Sequence, residues 1–493
     1  MTSPFAAQWC TALEEEFASI RSMDVYKLIP PSHVPSNHKI MHGKPVFRLK
    51  HDEHGAPICF KAQWVCKGYE AVFGQDYTKT TLPTMRMESL CTLVHIAAAK
   101  DWELDQIDVK TAYLYGLLPD NEVCYMYQSE GFEEAGKEDW VWELHHGLYG
   151  MPQGGRTWNV TMDTHLTSIG FTRLQCEYCI YYHVTDTGII ITGMHIDDFI
   201  IVSSSRPAVD EFKHQLRDAW SISDLGKARF CVGIAIDRDR ATHTARLSQV
   251  ALIDKILAQF HLADAHSVST PLDPSLRLSH IDHSPKTDKA KAAAAKLPYR
   301  ALVGSLNYVA VGSRPDISFA VQHLSQFMDC YGQTHWDAAK RVARYLKGTR
   351  DLRLHLSGPC TAHLIGFTDS NHGASRKQAT VSISSTESEY IATTDAAHEG
   401  VFLRALLLAL GLGQQSATPL LGNNTSAHSL SGDPSFHSCT KHIAIRHHHI
   451  CKLVATEQIS ISYVPSKDNV ANAFTKPLPQ QPFLRLRNFM GLF

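Results

Sequence analysis

The stretch that most constrains this chain is Gly188-Ile189-Ile190-Ile191-Thr192-Gly193-Met194-His195-Ile196-Asp197-Asp198-Phe199-Ile200-Ile201-Val202. Two strongly apolar, β-branched segments flank an acidic pair, a pattern that predicts two strands meeting at Asp197-Asp198. A tight hairpin turn more commonly carries Gly or Asn, and adjacent carboxylates repel unless a cation sits between them. The bland alternative is a plain polar turn. A second carboxylate has a similar setting: Gln106-Ile107-Asp108-Val109 ends a strand-like segment, and Lys110 to Tyr115 reads as the start of a helix.

Aspartates at strand ends and tight turns suit nucleotidyl transfer, which needs two divalent cations held a few ångströms apart. Magnesium takes few protein ligands, usually one or two carboxylates. Asp108, Asp197 and Asp198 are therefore the candidate metal-ligating and catalytic residues.

Bulk properties narrow the classes. A chain of 493 residues exceeds one compact domain, and about three domains are expected. The net charge of −2 argues against a generic cationic nucleic-acid binder, yet permits positive charge confined to a channel. The 12 cysteines are scattered, and no secretory signal opens the sequence, which points to free thiols in a reducing compartment. Cys176 and Cys179 form one C-x-x-C without a second pair, so they read as structural rather than metal or redox residues. The run His447-His448-His449 reads as a helix-surface run. No His-Glu-x-x-His motif supports a zinc hydrolase. No run of roughly eighteen apolar residues suggests a membrane span, and Val401 to Leu412 reads as a buried helix.

Composition divides the chain. Residues 1–260 mix short strands with helices, beginning with a helical face of Trp9, Leu13, Phe17 and Ile20. A linker rich in Ser, Asp, Pro, Ala and Lys spans 261–296, and 297–356 is strongly helical. A strand-initiated segment covers 361–478, followed by a tail, 479–493. In the helical segment, Lys340, Arg344 and Lys347 share one stripe of a predicted helix over 334–348, opposite Trp336, Ala339, Ala343 and Leu346. The stripe is either a solvated face or a track for nucleic-acid phosphates.

Several motifs together resemble the polymerase and RNase H portion of copia-type LTR retrotransposon polyproteins, over nearly the whole chain. They are Asp105-Gln106-Ile107-Asp108-Val109-Lys110-Thr111-Ala112-Tyr113, Gly147-Leu148-Tyr149-Gly150-Met151-Pro152-Gln153 and His195-Ile196-Asp197-Asp198. Further along come Tyr299-Arg300-Ala301-Leu302-Val303-Gly304-Ser305-Leu306, Ser313-Arg314-Pro315-Asp316-Ile317, Ser384-Ser385-Thr386-Glu387-Ser388-Glu389-Tyr390 and Thr440-Lys441-His442-Ile443. Their number and order carry the resemblance.

It implies an α+β fold: a right-hand polymerase with fingers, palm and thumb, a helical connection, and a degenerate RNase H-like α/β domain. The implied activity is RNA-directed DNA polymerisation with two Mg2+ ions, Mn2+ being an alternative. Its partners would be an RNA template, a DNA primer, the RNA–DNA hybrid and deoxynucleoside triphosphates, with no membrane. The implied location is a cytoplasmic virus-like particle or the nucleus, not the secretory route.

Residue by residue, the resemblance makes Tyr113 a gate against the sugar 2′ position, the alternative being a core aromatic. Gln153 and Gly154 match the motif under the incoming nucleotide and template, while Arg156 and Trp158 either support the template or pack. Lys227, in Asp224-Leu225-Gly226-Lys227, matches a lysine approaching the triphosphate, or is a solvated surface lysine. Gly233 lies in the segment resembling the primer grip. Lys61 and Lys67 match basic positions of the fingers.

This chain departs from the family in two places of the polymerase. His195 stands where Tyr or Phe is usual. Gln63 replaces an arginine that would clasp the triphosphate, and such a charge-assisted contact is worth roughly 1–3 kcal/mol. The RNase H carboxylates map to Asp369, Glu389, Asn423 and Asn472, so two of four have become amides. Asp369-Ser370 also runs almost directly into Ser375-Arg376-Lys377-Gln378, as if two strands were deleted. These features imply loss of RNase H activity, and leave a catalytically decayed or host-adopted nucleic-acid-binding remnant as the alternative to a working polymerase.

Overall fold

The computed structural model describes residues 5–51, 57–357, 363–370, 385–425 and 444–493. The chain divides into two compact units, Met1–Met85 with Asp105–Gly226, and Arg86–Leu104 with Lys227–Phe493. Among the described residues, no helix is long and apolar enough to cross a membrane.

The first unit opens with a helix, Ala6–Ser22, whose Leu13, Phe17 and Ile20 recur at helical spacing and are buried. Trp9 leaves that stripe half-buried and packs against Phe47 and Phe60. The strands are β1 (Tyr26–Ile29), β2 (Ile40–Met41), β3 (Gly43–His51), β4 (Pro57–Cys66), β5 (Glu103–Val109), β6 (Cys124–Tyr127), β7 (Val141–Leu144), β8 (Thr172–Arg173), β9 (Ile180–Thr185), β10 (Gly188–His195), β11 (Asp198–Ser203) and β12 (Ile222–Lys227). They form one sheet ordered β1-β7-β6-β2, a six-stranded sheet ordered β12-β5-β11-β10-β9-β8, and a β3-β4 ribbon.

The two apolar segments around the acidic pair are the antiparallel partners β10 and β11, as the alternation and β-branching require. Their inner positions Ile190, Ile191, Met194, Phe199, Ile200, Ile201 and Val202 are all buried. In the ribbon, Ala62, Trp64 and Cys66 are buried while Lys61, Gln63 and Val65 take the other face. The expected helix after Asp108 is shorter than its pattern suggests. It is a single 3-10 turn, Ala112–Tyr115, entered through Thr111 at φ +52 and ended by Gly116.

Beside Asp108 on β5, Asp105 is buried and accepts from Arg206 Nη1 at 2.9 Å and Lys213 Nζ at 2.6 Å. Both donors lie on the helix Arg206–Ala219, and Lys213 also reaches Asp224 on β12 at 2.6 Å. A buried carboxylate needs such partners, so the acidic motif before Asp108 fixes β5 against a helix.

In the second unit, the helix Met87–Ala99 accompanies a sheet ordered β13 (Phe230–Cys231), β14 (Ile234–Asp239), β15 (Thr244–Ser248) and β16 (Leu354–Leu356). Helices Val250–Gln259, Tyr299–Gly312, Ser318–Ser325, Gln333–Gly348 and Gln480–Phe489 build an apolar core of this unit. Tyr299, Leu302, Val303 and Leu306 account for one of the sequence motifs, falling at i, i+3, i+4 and i+7 on the buried face. Arg314 and Asp316 account for another. Their side chains are 1% and 0% exposed, joined by two hydrogen bonds of 2.9 and 2.7 Å. Leu272 and Leu278, from the Ser/Pro-rich stretch, are buried in the same core, as is Phe483 near the C-terminus.

The remaining strands β17 (Gly366–Phe367), β18 (Thr418–Gly422) and β19 (Ile459–Tyr463) are parallel, with helices Ser385–Ala409 and Ala444–Ala455. The segment from Asn371 to Gln378, where two strands are expected to be missing, lies outside the described residues, as does Thr440 to Ile443.

Candidate functional site

Asp197 and Asp198 lie at the end of the β10-β11 hairpin, and the backbone next to Asp108 is tied to it. His195 pairs with Asp198, which leaves Ile196 and Asp197 as a two-residue turn. Such turns need a positive φ that glycine supplies freely, but here Ile196 adopts φ +65. A β-branched residue in that region is strained by about 1–3 kcal/mol, so the surroundings must hold it. Two hydrogen bonds do so. Trp158, buried on the helix Gly154–Ser168, donates its indole N–H to the Ile196 carbonyl at 2.8 Å. Val109 N, next to Asp108, donates to the Asp197 carbonyl at 3.0 Å and ties β5 to the turn.

Asp198 is pushed above the usual carboxylate range by burial, and the negative charges of Asp197 and Asp108 push the same way. Gln106 Nε2 opposes this, donating to Asp198 Oδ1 at 3.3 Å. The three carboxylates thus share one electrostatic neighbourhood, and a cation there would relieve their repulsion. Their hard oxygens are the right donors for magnesium, one or two carboxylates being enough. Among the described residues, however, no three His, Cys, Asp or Glu side chains converge as a ready-made ligand set. His195 is half-buried, and burial lowers its pKa.

Tyr113 is half-buried beside this site, its hydroxyl pushed up by burial and by the charge of Asp197. Its ring packs on Tyr149 at 5.3 Å between centroids. Gly154 lies against the other contact surface of Tyr113, since a Cβ there would sit 3.0 Å from Tyr113 Cδ1 and 3.1 Å from the Leu148 carbonyl oxygen. Tyr149 is raised chiefly by burial and also hydrogen-bonds Gln63, so the ribbon position that lacks arginine connects through two tyrosines toward Asp197. The sequence motif contained Tyr149, but only the fold gives it neighbours.

Gln153 is fully buried, with Nε2 donating to the Asp76 carbonyl at 2.9 Å and to Cys124 Sγ at 3.4 Å. It faces the core, and any effect on a bound nucleotide would pass through the segment that it anchors. Arg156 is half-buried and has no hydrogen-bond or ion-pair partner among the described residues. Lys61 is exposed and Lys67 half-buried. Directly across the ribbon from Lys61 stands exposed Arg48, a second cation on the same face. Its position two residues from Val46, the partner of Gln63, was not legible before strand register was known.

The other candidates lie in the second unit. Lys227 is exposed at the end of β12. Val232 and Gly233, at φ +48 and +72, form the two-residue turn between β13 and β14, and Tyr308 donates its hydroxyl to the Val232 carbonyl at 2.6 Å. Lys340, Arg344 and Lys347 do share a stripe, but each has an intramolecular partner. Arg344 Nε and Lys347 Nζ donate to the carbonyls of His266 and Ala265 at 2.6 and 2.9 Å, and Lys340 pairs with Asp337 at 2.7 Å.

The RNase H-like positions also come together within this unit. Asp369 is buried, accepts from Asn423 Nδ2 at 3.3 Å and from the Thr475 hydroxyl, and pairs with Lys476 Nζ at 3.4 Å. Glu389 Oε2 accepts from Ser370 N at 3.0 Å; burial, with a contribution from Asp369, raises its pKa. Asn472 donates to the Ser466 carbonyl and leaves Oδ1 buried without a partner. An ammonium and an amide therefore face the Asp369 carboxylate. Lys476 was missed because nothing in its local sequence marks it.

Residues 23–274 match the family model described as reverse transcriptase (RNA-dependent DNA polymerase). The chain is 33% identical over its full length to the retrovirus-related Pol polyprotein from transposon TNT 1-94 of Nicotiana tabacum. It is 30% identical, over 98% of its length, to that from transposon RE1 of Arabidopsis thaliana. It spans 38% and 34% of those two proteins. Among solved structures it is similar to a foamy viral protease-reverse transcriptase in complex with dsDNA, with a TM-score of 0.44 and 10% identity, covering 93% of this chain and 83% of that one. The chain belongs to the reverse transcriptase family, as the reverse transcriptase region of a copia-type retrotransposon Pol polyprotein.

Proposed function

We propose that this chain is an RNA-directed DNA polymerase that extends a DNA primer on an RNA template. In this reading the first 260 residues supply fingers, palm and the start of the thumb, 297–356 the connection, and 361–478 an RNase H-like domain without activity. The observation that carries it is the electrostatic convergence of Asp108, Asp197 and Asp198 at a strained, externally held hairpin turn. Two magnesium ions, when bound by these carboxylates, would activate the primer hydroxyl and hold the triphosphate.

The chain's own residues do the remaining work. Trp158 and Val109 hold the turn so that Asp197 and Asp198 keep their places relative to Asp108. Tyr113, buttressed by Tyr149 and Gly154, presents a rigid ring that a ribonucleotide 2′-hydroxyl would strike. Lys61 and Arg48 share the ribbon face with Gln63 and offer two cations to phosphates in place of the missing arginine.

A second reading, a decayed nucleic-acid-binding remnant, is favoured by Gln63 and His195, which stand where the family carries an arginine and an aromatic, and by the amides Asn423 and Asn472. Primer extension on poly(rA)–oligo(dT) with Mg2+ separates the two. The proposal expects extension that Asp197→Asn abolishes. Well-folded protein without any extension, or undiminished extension by the variant, overturns it.

Loss of RNase H activity is supported by Asn423 and Asn472 and by the Lys476 ammonium on Asp369. Metal-dependent cleavage of an RNA–DNA hybrid, removed by Asp369→Asn, is the result that would contradict it.

A further inference from the structure

Within the second unit lies a polar cleft of about 360 Å3 lined by Glu103, Lys227, Arg229, Asp237, Arg238 and Arg240, with Leu104, Ala228 and Ile236 as its apolar wall. None of the three site aspartates lines it. Counting the charged lining groups and their ion-pair partners gives six cations, Lys227, Arg229, Arg238, Arg240, Arg246 and Arg353, against three carboxylates, Asp101, Glu103 and Asp237. That is a local excess of three positive charges in a chain whose net charge is −2.

The ion pairs assign two of these three charges. Arg240 is occupied by Asp101 at 2.6 Å and Glu103 at 2.9 Å. Arg238 Nη2 shares Asp101 at 3.0 Å and also donates to the Ala97 carbonyl, while Nη1 donates to the Trp102 carbonyl. Asp237 is answered from two sides, by Arg246 at 3.4 Å and Arg353 at 2.8 Å. Lys227 and Arg229 remain, both exposed, and neither side chain has a hydrogen-bond or ion-pair partner among the described residues.

Their backbone is nevertheless fixed. Ala228 N donates to the Leu104 carbonyl at 3.0 Å, and the Arg229 carbonyl accepts from Ile236 N at 2.8 Å. Two cations whose side chains have no partner among the described residues, on an anchored segment and over a floor of ion pairs with one arginine in excess, lose little order when an anion arrives. A planar guanidinium beside an ammonium suits tetrahedral oxyanions that accept several hydrogen bonds.

We propose that this cleft binds a phosphoryl group, with Arg229 and Lys227 as its ligands. The group belongs either to a nucleic-acid backbone or to a free phosphate such as pyrophosphate, because both present the same oxygens. The site requires no turnover, and it stands whether or not the polymerase reading does.

The test uses the full chain without divalent metal. Pyrophosphate binding is measured by calorimetry, and binding of a labelled blunt DNA duplex by fluorescence anisotropy across a salt series. Arg229→Gln, which removes an exposed and unpartnered side chain, should keep the parent's thermal midpoint. It should weaken pyrophosphate binding about two- to fivefold, the scale for one exposed charge contact. If the source is a nucleic-acid backbone, the slope of log affinity against log salt also falls by about one. A pyrophosphate effect without a slope change assigns the cleft to free phosphates. Lys227→Gln repeats the measurement should Arg229→Gln fail to fold. Unchanged pyrophosphate affinity and unchanged salt slope in the folded variants overturn the proposal.

Discussion

The indole N–H of Trp158 donates to the Ile196 carbonyl at 2.8 Å, so a buried helix side chain holds the turn that carries Asp197. The bond and the positive φ of Ile196 belong together, because a strained turn persists only where its surroundings over-determine it. Trp158→Phe keeps an aromatic ring but leaves the carbonyl without its donor. The expected loss of stability is about 1–3 kcal/mol by chemical denaturation. Primer extension should lose kcat more than it gains KM, since the change displaces carboxylates rather than substrate contacts. Ile196→Gly acts in the opposite sense on stability, raising it by about 1 kcal/mol as the backbone strain is released. A lower denaturation midpoint for Ile196→Gly would show that Ile196 contributes more through packing than it costs in strain.

Tyr113 and Gly154 make a second pair, in which the glycine leaves room for the ring. A Cβ at 154 would meet Tyr113 Cδ1 at 3.0 Å and backbone oxygen at 3.1 Å, and the backbone cannot give way cheaply. Gly154→Ala should therefore displace the ring and cost about 1–3 kcal/mol. Tyr113→Ala removes the ring itself. On the polymerase reading, its ratio of ribonucleotide to deoxyribonucleotide incorporation should rise roughly tenfold or more, the scale of discrimination available from a steric contact. Unchanged sugar selectivity in single-nucleotide extension would return Tyr113 to the role of a core aromatic.

What the sequence made legible was what a short period or a fixed spacing encodes. The two strands around Asp197-Asp198, the helical face of Leu13, Phe17 and Ile20, and the basic stripe of Lys340, Arg344 and Lys347 all follow from alternation or helical repeat. What remained hidden depends on residues far apart in the chain. Arg48 becomes a neighbour of Lys61 only through strand register. Tyr149 gains its place from Gln63 and Tyr113, on separate elements. Gln153 shares a motif with Gly154 and yet turns into the core, because Asp76 supplies a carbonyl there that no local pattern announces. The partners of Arg344 and Lys347 are carbonyls of the preceding segment, so a basic stripe by itself did not reveal which cations were already engaged.

Lys476 and Asp369 permit a test that needs no enzyme assay. The Asp369 side chain is 4% exposed and faces Lys476, Asn423 and Thr475. Removing the ammonium with Lys476→Met leaves a buried carboxylate with fewer partners, and should destabilise the second unit by about 1–3 kcal/mol. Asp369→Asn in the same chain should recover most of that loss, since no charge then remains to be answered. Millimolar Mg2+ should leave the thermal midpoint of the parent unchanged through this site, whereas in Lys476→Met it should raise the midpoint as the cation replaces the ammonium. Equal responses of parent and variant to Mg2+ would remove Lys476 from this role.

Acid sensitivity is expected from His335, which is fully buried in the helical core and surrounded by His280, His283 and His323. Burial, followed by those neighbouring imidazoles, lowers its pKa to about 4. Its Nδ1 accepts from Gly332 N at 3.1 Å at the start of the helix Gln333–Gly348, a bond that protonation of that nitrogen would break. Because the folded value lies below the ordinary imidazole value of about 6.5, the stabilising contribution is fully present above that pH. It is lost progressively as the pH falls toward 4, amounting to roughly 2–3 kcal/mol. Urea denaturation of the full chain between pH 7 and pH 4 should show this decline. His335→Asn can still accept from Gly332 N but cannot take up a proton, so its decline should be shallower, and a parallel decline in parent and variant would assign the acid sensitivity to other groups.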